Sequence, residues 1–160
     1  MTTPARPSIA TQLIALGIEL PAPTTGTRSR TTVVRTGNLL FVSGHGPGAG
    51  PDGTLPAGKI GREYTEAEGA LIARSVGLAL LSTIQAELGS LDHVRRIVKA
   101  LGMVNCAPGF NKTSAVIDGF SNLMVDVFGE EIGRHARSAV GMAELPLDFP
   151  VEIEVVVEVD

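Results

Sequence analysis

The stretch GRHARSAVGMAELP, residues 133 to 146, places Arg137 at the head of an apolar run that ends at a proline. A guanidinium stays charged and presents a planar fork that grips a carboxylate through two hydrogen bonds. Arg137 is therefore either a fixed clamp for an anion or a strand-end charge paired with a surface acid. His45 lies just past Ser43 and Gly44, where a β-rich run gives way to a glycine-rich loop. A histidine there can donate to a substrate or a water near neutral pH, or be a loop residue with no role. Arg30, in RSRT, reads as an exposed charge or as a second contact for an anionic substrate. In VEIEVVVEV, Glu152, Glu154 and Glu158 alternate with apolar positions, so the plain reading of each is an acid on the solvent face of a strand. His135 reads as a contact at the rim beside Arg137, His93 as an exposed residue near an element start, and Cys106 as a turn residue without chemistry.

These residues sit on a chain of 160 residues, long enough to bury a sizeable core as one domain. Hydrophobic residues make up 44 % and charged residues 19 %, the balance of a globular protein. A net charge of −4 and a pI near 5.4 lack the electrostatic footprint of nucleic-acid binding. Five Phe, one Tyr and no Trp leave little for a base-stacking platform. The single Cys106 excludes an intramolecular disulfide and gives no metal cluster. The N-terminal stretch does not join a basic start to a continuous apolar run, and no apolar run is expected to reach the length of a bilayer. No membrane association is expected, and the cytoplasm is the expected compartment.

The elements that must position the candidate residues follow from periodicity and punctuation. Residues 8 to 17 read as a short amphipathic helix capped by Ser8, with Ile9, Leu13 and Leu16 on one face. A connector rich in Pro, Thr and Gly leads to two β-rich runs around Thr36-Gly37-Asn38, a hairpin. Gly48, Gly50 and Gly53 match GxGxxG by letter, but Thr54-Leu55-Pro56 follows where a phosphate cradle needs a helix start. That region reads as a flexible hairpin loop. Residues 65 to 88 form the longest helical pattern, opened by a Thr65–Glu68 capping box, with Leu71, Leu78, Leu81, Ile84 and Leu88 as its stripe and Gly89 as its stop. Residues 91 to 108 read as a strand of poor alternation with room for a helical start. A second amphipathic helix over 111 to 129 carries Val116, Ile117, Phe120, Met124 and Val127, and strands over 136 to 145 and 151 to 159 close the chain. The order α-β-β-α-β-α-β-β implies a two-layer α+β domain, a mixed sheet with two main helices on one face plus a short N-terminal helix.

At TGNLLFVSG (36 to 44), ARSAVGMAELP (136 to 146) and VEIEVVV (151 to 157) the chain resembles the YjgF/RidA family. These are the reactive-intermediate deaminases, some formerly named endoribonuclease L-PSP. The resemblance spans residues 30 to 158, with residues 1 to 29 as an N-terminal extension of a single domain over 1 to 160. It implies a chorismate-mutase-like fold assembled as a homotrimer with active sites in the clefts between subunits. It implies hydrolysis of 2-imino acids, formed by pyridoxal-phosphate enzymes, to 2-oxo acids and ammonia, with neither a metal nor an organic cofactor. By the matching blocks, Arg137 falls on the arginine that binds the substrate carboxylate and Glu152 on the glutamate associated with the attacking water. Ser43 and Gly44 fall on the strand end that lines the cleft. Arg30 stands where many members carry tyrosine, His45 where glutamine is common, Ala139 where some carry cysteine, and Asp118 where the second helix often has asparagine. The clamp is kept while the rest of the pocket differs, so the substrate class is a small carboxylate. A non-catalytic carboxylate-binding trimer and a deaminase of a specialised pathway enamine are the alternatives.

Overall fold

A computed structural model describes residues 7–160, so the first six residues of the expected extension lie outside the described part. Helix α1 (Ile9–Ala15) begins where the Ser8 hydroxyl accepts the Thr11 amide at 3.2 Å; Ile9 and Leu13 are buried and Leu16 is exposed. Strands β1 (Val33–Thr36) and β2 (Leu39–His45) form the expected hairpin. Gly37 takes φ 58 while Asn38 stays at negative φ, the pattern of a type II′ turn.

Helix α2 (Glu66–Leu88) opens with the reciprocal capping box: the Thr65 hydroxyl accepts from the Glu68 amide, and the Glu68 carboxylate accepts from the Thr65 amide at 2.7 Å. Of the leucine stripe expected, Leu81 and Ile84 are buried and Leu78 and Leu88 pack against the core, while Leu71 departs. Leu71 is 69 % exposed, and the buried side runs through Gly69, Ala73, Val76, Gly77, Leu80, Leu81 and Ile84. A helix apolar nearly all round does not choose its face by period; the neighbour's close approach chooses it. A Cβ on Gly77 would lie 2.7 Å from the Leu123 side chain, and one on Gly119 of the facing helix 1.9 Å from the Ala70 carbonyl oxygen. Small residues mark that contact. α2 also corrects the expectation that no apolar run reaches bilayer length, since its best 18-residue window has mean hydropathy 1.4. About half of that window (56 %) is buried inside the fold, the position of a core helix.

A 3₁₀ turn, Leu91–His93, gives the next strand its helical start. Strand β3 (Val94–Asn105) explains its own poor alternation, because its pairing with the last strand shifts between Val94 and Arg96 and again between Ile97 and Lys99. Each irregularity advances the inward position by one residue. Helix α3 (Thr113–Gly133) buries Val116, Ile117, Phe120, Met124 and Val127 as expected. It breaks at Gly129 (φ 78), where the sequence pattern ends it, then adds a final turn. Strand β4 (Ala136–Met142) stops short of residue 145, and β5 (Val151–Val159) has the expected bounds.

The sheet order is β1-β2-β5-β3-β4, antiparallel throughout except for the parallel pair β3–β4 joined by α3. The fold is thus the two-layer α+β arrangement read from the sequence. α2 and α3 pack on one face over a core including Leu40, Ile97, Phe120, Leu123, Ile153 and Val157. Each such side chain contributes about 1.5–3 kcal/mol on burial. The opposite face carries Val34, Phe41, Leu101, Val140 and Val156 beside Lys99 and Glu154; Val34 and Phe41 are 54 % and 46 % exposed.

The glycine-rich region after β2 is not a hairpin loop, because the element that follows it is α2 and not a strand paired back on β2. The chain instead crosses to the end of β3: the Ile60 amide donates to the Asn105 carbonyl at 2.8 Å and the Ala107 amide to the Ile60 carbonyl at 2.9 Å. The fully buried Ile60 side chain is the reason, since it closes the core beneath Gly69 and Val116. α2 starts only at Glu66, so no helix N-terminus meets the GxGxxG letters.

Candidate functional site

Arg137 points from β4 toward α3. The edge strand is in register with β3 so that Arg137 lies beside the buried Ala100 and alternates with Ser138 on the other face. Its guanidinium donates through Nη1 to the Ser121 hydroxyl at 2.9 Å and through Nη2 to the Ser114 carbonyl at 3.1 Å. Nη2 also pairs with an Asp118 carboxylate oxygen at 2.7 Å. Both two-pronged edges of a guanidinium use an Nη2 proton, so a second carboxylate can be gripped on two bonds only by displacing one of these partners. Ser114, Asp118 and Ser121 are spaced by four and three residues, which places them on one stripe of α3.

The hydrogen bonds around Arg137 have a direction. His135 Nδ1 lies 2.7 Å from the Gly133 carbonyl, which only accepts, so Nδ1 carries the proton. Nε2 then accepts from the Ser121 hydroxyl at 3.1 Å, and that hydroxyl accepts from Arg137. The imidazole stands edge-on to Phe120 with centroids 5.4 Å apart. Burial holds its pKa below 6.5; the Gly133 carbonyl opposes this and the Arg137 charge adds to it. Asp118, Ser121, Asn122, Glu130, Arg134, His135 and Arg137 line most of a groove of about 490 Å³.

Glu152 lies on the other side of the sheet. It faces Met103 in register, while the next residue, Ile153, is fully buried toward the helices. A Cβ on Gly44 would lie 2.0 Å from a Glu152 carboxylate oxygen, so the carboxylate rests on the bare glycine backbone. Burial pushes the Glu152 pKa up from 4.5, the neighbouring Glu154 pushes it further, and Arg30 partly offsets both. Arg30 is set near by a turn in which the Thr27 amide donates to the Arg30 carbonyl at 2.7 Å. The Ser43 hydroxyl is buried and has no hydrogen-bond partner among the described residues.

His45 turns inward. The register shift between Val42 and His45 leaves it 2 % exposed, pointing at α2. Its Nδ1 donates to the Ser43 carbonyl at 2.7 Å, and its Nε2 accepts from the Thr83 hydroxyl at 2.8 Å. With both nitrogens used, it fixes the strand end that carries Ser43 and Gly44 and offers no free nitrogen to a ligand.

Of the residues singled out in the sequence, the structure gathers Arg30, Ser43, Gly44, His45 and Glu152 at one end of β2 and β5. It keeps Arg137 apart, on the helix side of β4, with β3 between β4 and β5. Ser121 and the Ser114 carbonyl were missed; the polar stripe at helical spacing on α3 is the signal that points to them. Among the described residues no three His, Cys, Asp or Glu side chains converge as metal ligands would.

A five-stranded mixed sheet, two helices on one face, an arginine in a polar groove and a half-buried glutamate on the uncovered face define a class of small α+β domains. The chain belongs to the family described as "YjgF/chorismate_mutase-like, putative endoribonuclease", whose model matches residues 10–158. It is 41 % identical to Protein TCP17 of Trypanosoma cruzi over the whole of this chain and 99 % of that one. It is similar in structure to Atu1372 of Agrobacterium tumefaciens, a protein of unknown function, with 38 % identity and TM-score 0.84 over 96 % of this chain and 92 % of that chain. A putative endoribonuclease from Shewanella oneidensis MR-1 has 26 % identity and TM-score 0.88, covering 96 % of this chain and all of that one.

Proposed function

We propose that the protein hydrolyses imines or enamines of small carboxylates as a homotrimer, with Arg137 of one subunit holding the substrate carboxylate and Glu152 of the next orienting the water. The observation that carries this reading is that Arg137 and Glu152 occupy opposite faces of one sheet. They join one reaction only across a boundary between two chains. The uncovered face, with Phe41, Val34 and Val140 exposed beside a hollow of about 400 Å³, supplies apolar area for such a boundary. RidA of a Psychrobacter species and Escherichia coli TdcF, the latter with bound serine, share the fold at 23 % and 21 % identity.

The chemistry asks little of the protein. A protonated C=N carbon is already electrophilic, so the site must fix the substrate, place a water and accept its proton. A guanidinium suits the first task. A carboxylate with a raised pKa suits the others, because a stronger base takes the proton more readily. Metal-free catalysis, absence of nucleic-acid binding and a cytoplasmic setting belong to the same proposal.

The test generates 2-iminobutanoate in situ with an amino-acid oxidase and traps it with semicarbazide. Faster loss with wild type than without enzyme, abolished in Arg137→Ala, supports the reading. Pure trimeric protein that binds 2-oxo acids without accelerating the loss overturns it in favour of a carboxylate-binding trimer.

A further inference from the structure

We propose that Asp118 makes the Arg137 groove selective for ligands in which a positively charged nitrogen adjoins the carboxylate, such as protonated 2-imino acids or 2-amino acids, over simple 2-oxo acids. This rests on the reading of Arg137 as the carboxylate clamp. Two observations carry it. The first is the state of the guanidinium: Asp118 at 2.7 Å and the Ser114 carbonyl at 3.1 Å take Nη2, while Ser121 takes Nη1. A lone carboxylate entering the groove meets a fork already holding one, and must either displace Asp118 or sit beside it as a like charge. The Asp118 side chain is 55 % exposed, so it is free to swing from the fork without leaving solvent.

The second observation is the charge of the groove. Its lining carries Arg134 and Arg137 against Asp118 and Glu130, with His135 neutral, so the opposite charges balance. A monoanion gains no net attraction from such a lining. A zwitterion inserts itself into the Arg137–Asp118 pair, its carboxylate on the guanidinium and its nitrogen on the freed Asp118 carboxylate. The original ion pair is then replaced by two, and no carboxylate is left facing another.

This arrangement also separates substrate from product. Hydrolysis adds water across the C=N⁺ bond and releases the nitrogen as ammonium, leaving a carbonyl in its place. The cation that Asp118 holds departs with the reaction, so the 2-oxo acid is left as a monoanion beside a carboxylate and dissociates readily. Asp118 is thus a specificity residue for this site, where an uncharged side chain would bind substrate and product more equally.

The test compares 2-aminobutanoate with 2-oxobutanoate, which share a skeleton and differ in the charged nitrogen. Calorimetric titration of the purified protein is expected to show the amino acid binding about 10-fold more tightly. In Asp118→Asn the ratio should collapse toward one, the oxo acid gaining and the amino acid losing about 3-fold each. Asp118→Ser, which removes the charge with a different shape, should change the ratio in the same direction. If both variants leave the ratio at the wild-type value while Arg137→Ala abolishes binding of both ligands, this inference is overturned and the clamp stands. If Arg137→Ala leaves both affinities unchanged, the clamp itself falls, and this inference with it.

Discussion

Arg137 and Glu152 are held in contrasting ways. The arginine is fixed by three partners of its own chain and backed by an ordered run from Ser121 through His135 to the Gly133 carbonyl. The glutamate rests against a glycine, with burial and Glu154 raising its pKa and only Arg30 opposing them. One half of the proposed site is assembled and electrically neutralised before any ligand arrives. The other is left with a carboxylate in an unfavourable setting and an unpartnered hydroxyl, that of Ser43, nearby. Pre-formed geometry is suited to binding, whereas a destabilised carboxylate is suited to taking a proton. Under the proposed function, the contrast fits recognition on the helix face of the sheet and chemistry on the uncovered face.

The largest effects should come from removing each half. Glu152→Gln should lower kcat by about 10²–10⁴-fold, as loss of a general base does, with little change in KM. Arg137→Ala should act mainly on KM and lower kcat/KM by about 100-fold, or ~3 kcal/mol. Steady-state kinetics of the two variants separate the roles. Mixing the inactive variants after denaturation and refolding should restore roughly a quarter of the sites if each draws Arg137 and Glu152 from different subunits of a ring. No recovery from mixed trimers would place both residues in one subunit's site.

Gly44→Ala is the next test, because a Cβ there would stand 2.0 Å from the Glu152 carboxylate. The carboxylate is the far end of a flexible side chain, so it can move, and the melting temperature should fall little while kcat drops about 10-fold. Ser121→Ala, the matching change on the other half, breaks the Arg137–His135 connection and should raise KM with kcat nearly unchanged. An equal loss of kcat in both variants would erase the division of labour.

A finer test uses pH. Glu152 must be ionised to accept a proton, and its raised pKa puts the acid limb of the rate profile above the usual carboxylate range. Arg30 holds that pKa down, so Arg30→Ala should move the acid limb to higher pH. A profile unchanged by this substitution would show that Arg30 does not act on the catalytic group.

The fold was more legible than the site, for a physical reason. Turn and cap signals are local: Gly37-Asn38 specifies its hairpin and Thr65 with Glu68 its helix start, whatever surrounds them. The face that α2 presents depends on the approach of α3: Leu81 and Ile84 of the leucine stripe are buried, but Leu71 is turned out and small residues such as Gly77 admit the neighbour. Bulges in β3 hid its alternation, and the register shift at the end of β2 turned His45 into the core. Arg137 and Glu152 were visible as residue types, but the sheet face each occupies follows from strand order. Strand order is set by long-range pairing that no short stretch encodes.

The smallest expected effect is on stability, and the buried histidines and Glu152 contribute with opposite sign. His45 and His135 are held neutral by burial, their pKa values lowered from 6.5. The unfolded chain therefore binds more protons at mildly acid pH, and stability, full above 6.5, should be lost as pH falls through the lowered folded values. Glu152 behaves in reverse: its raised pKa means the folded chain keeps a proton longer, so its contribution is lost as pH rises from 4.5 through the raised value. Thermal unfolding between pH 4 and 8 should show a dip set by these opposed slopes, with stability falling as Glu152 ionises and recovering toward pH 6.5 as the histidines lose their protons in the unfolded chain. Glu152→Gln should flatten the lower window, and His45→Gln should flatten the slope below 6.5. If His45→Gln leaves that slope untouched, the histidine is not held neutral in the core, and its bond to Thr83 is not what fixes the strand end beneath Glu152.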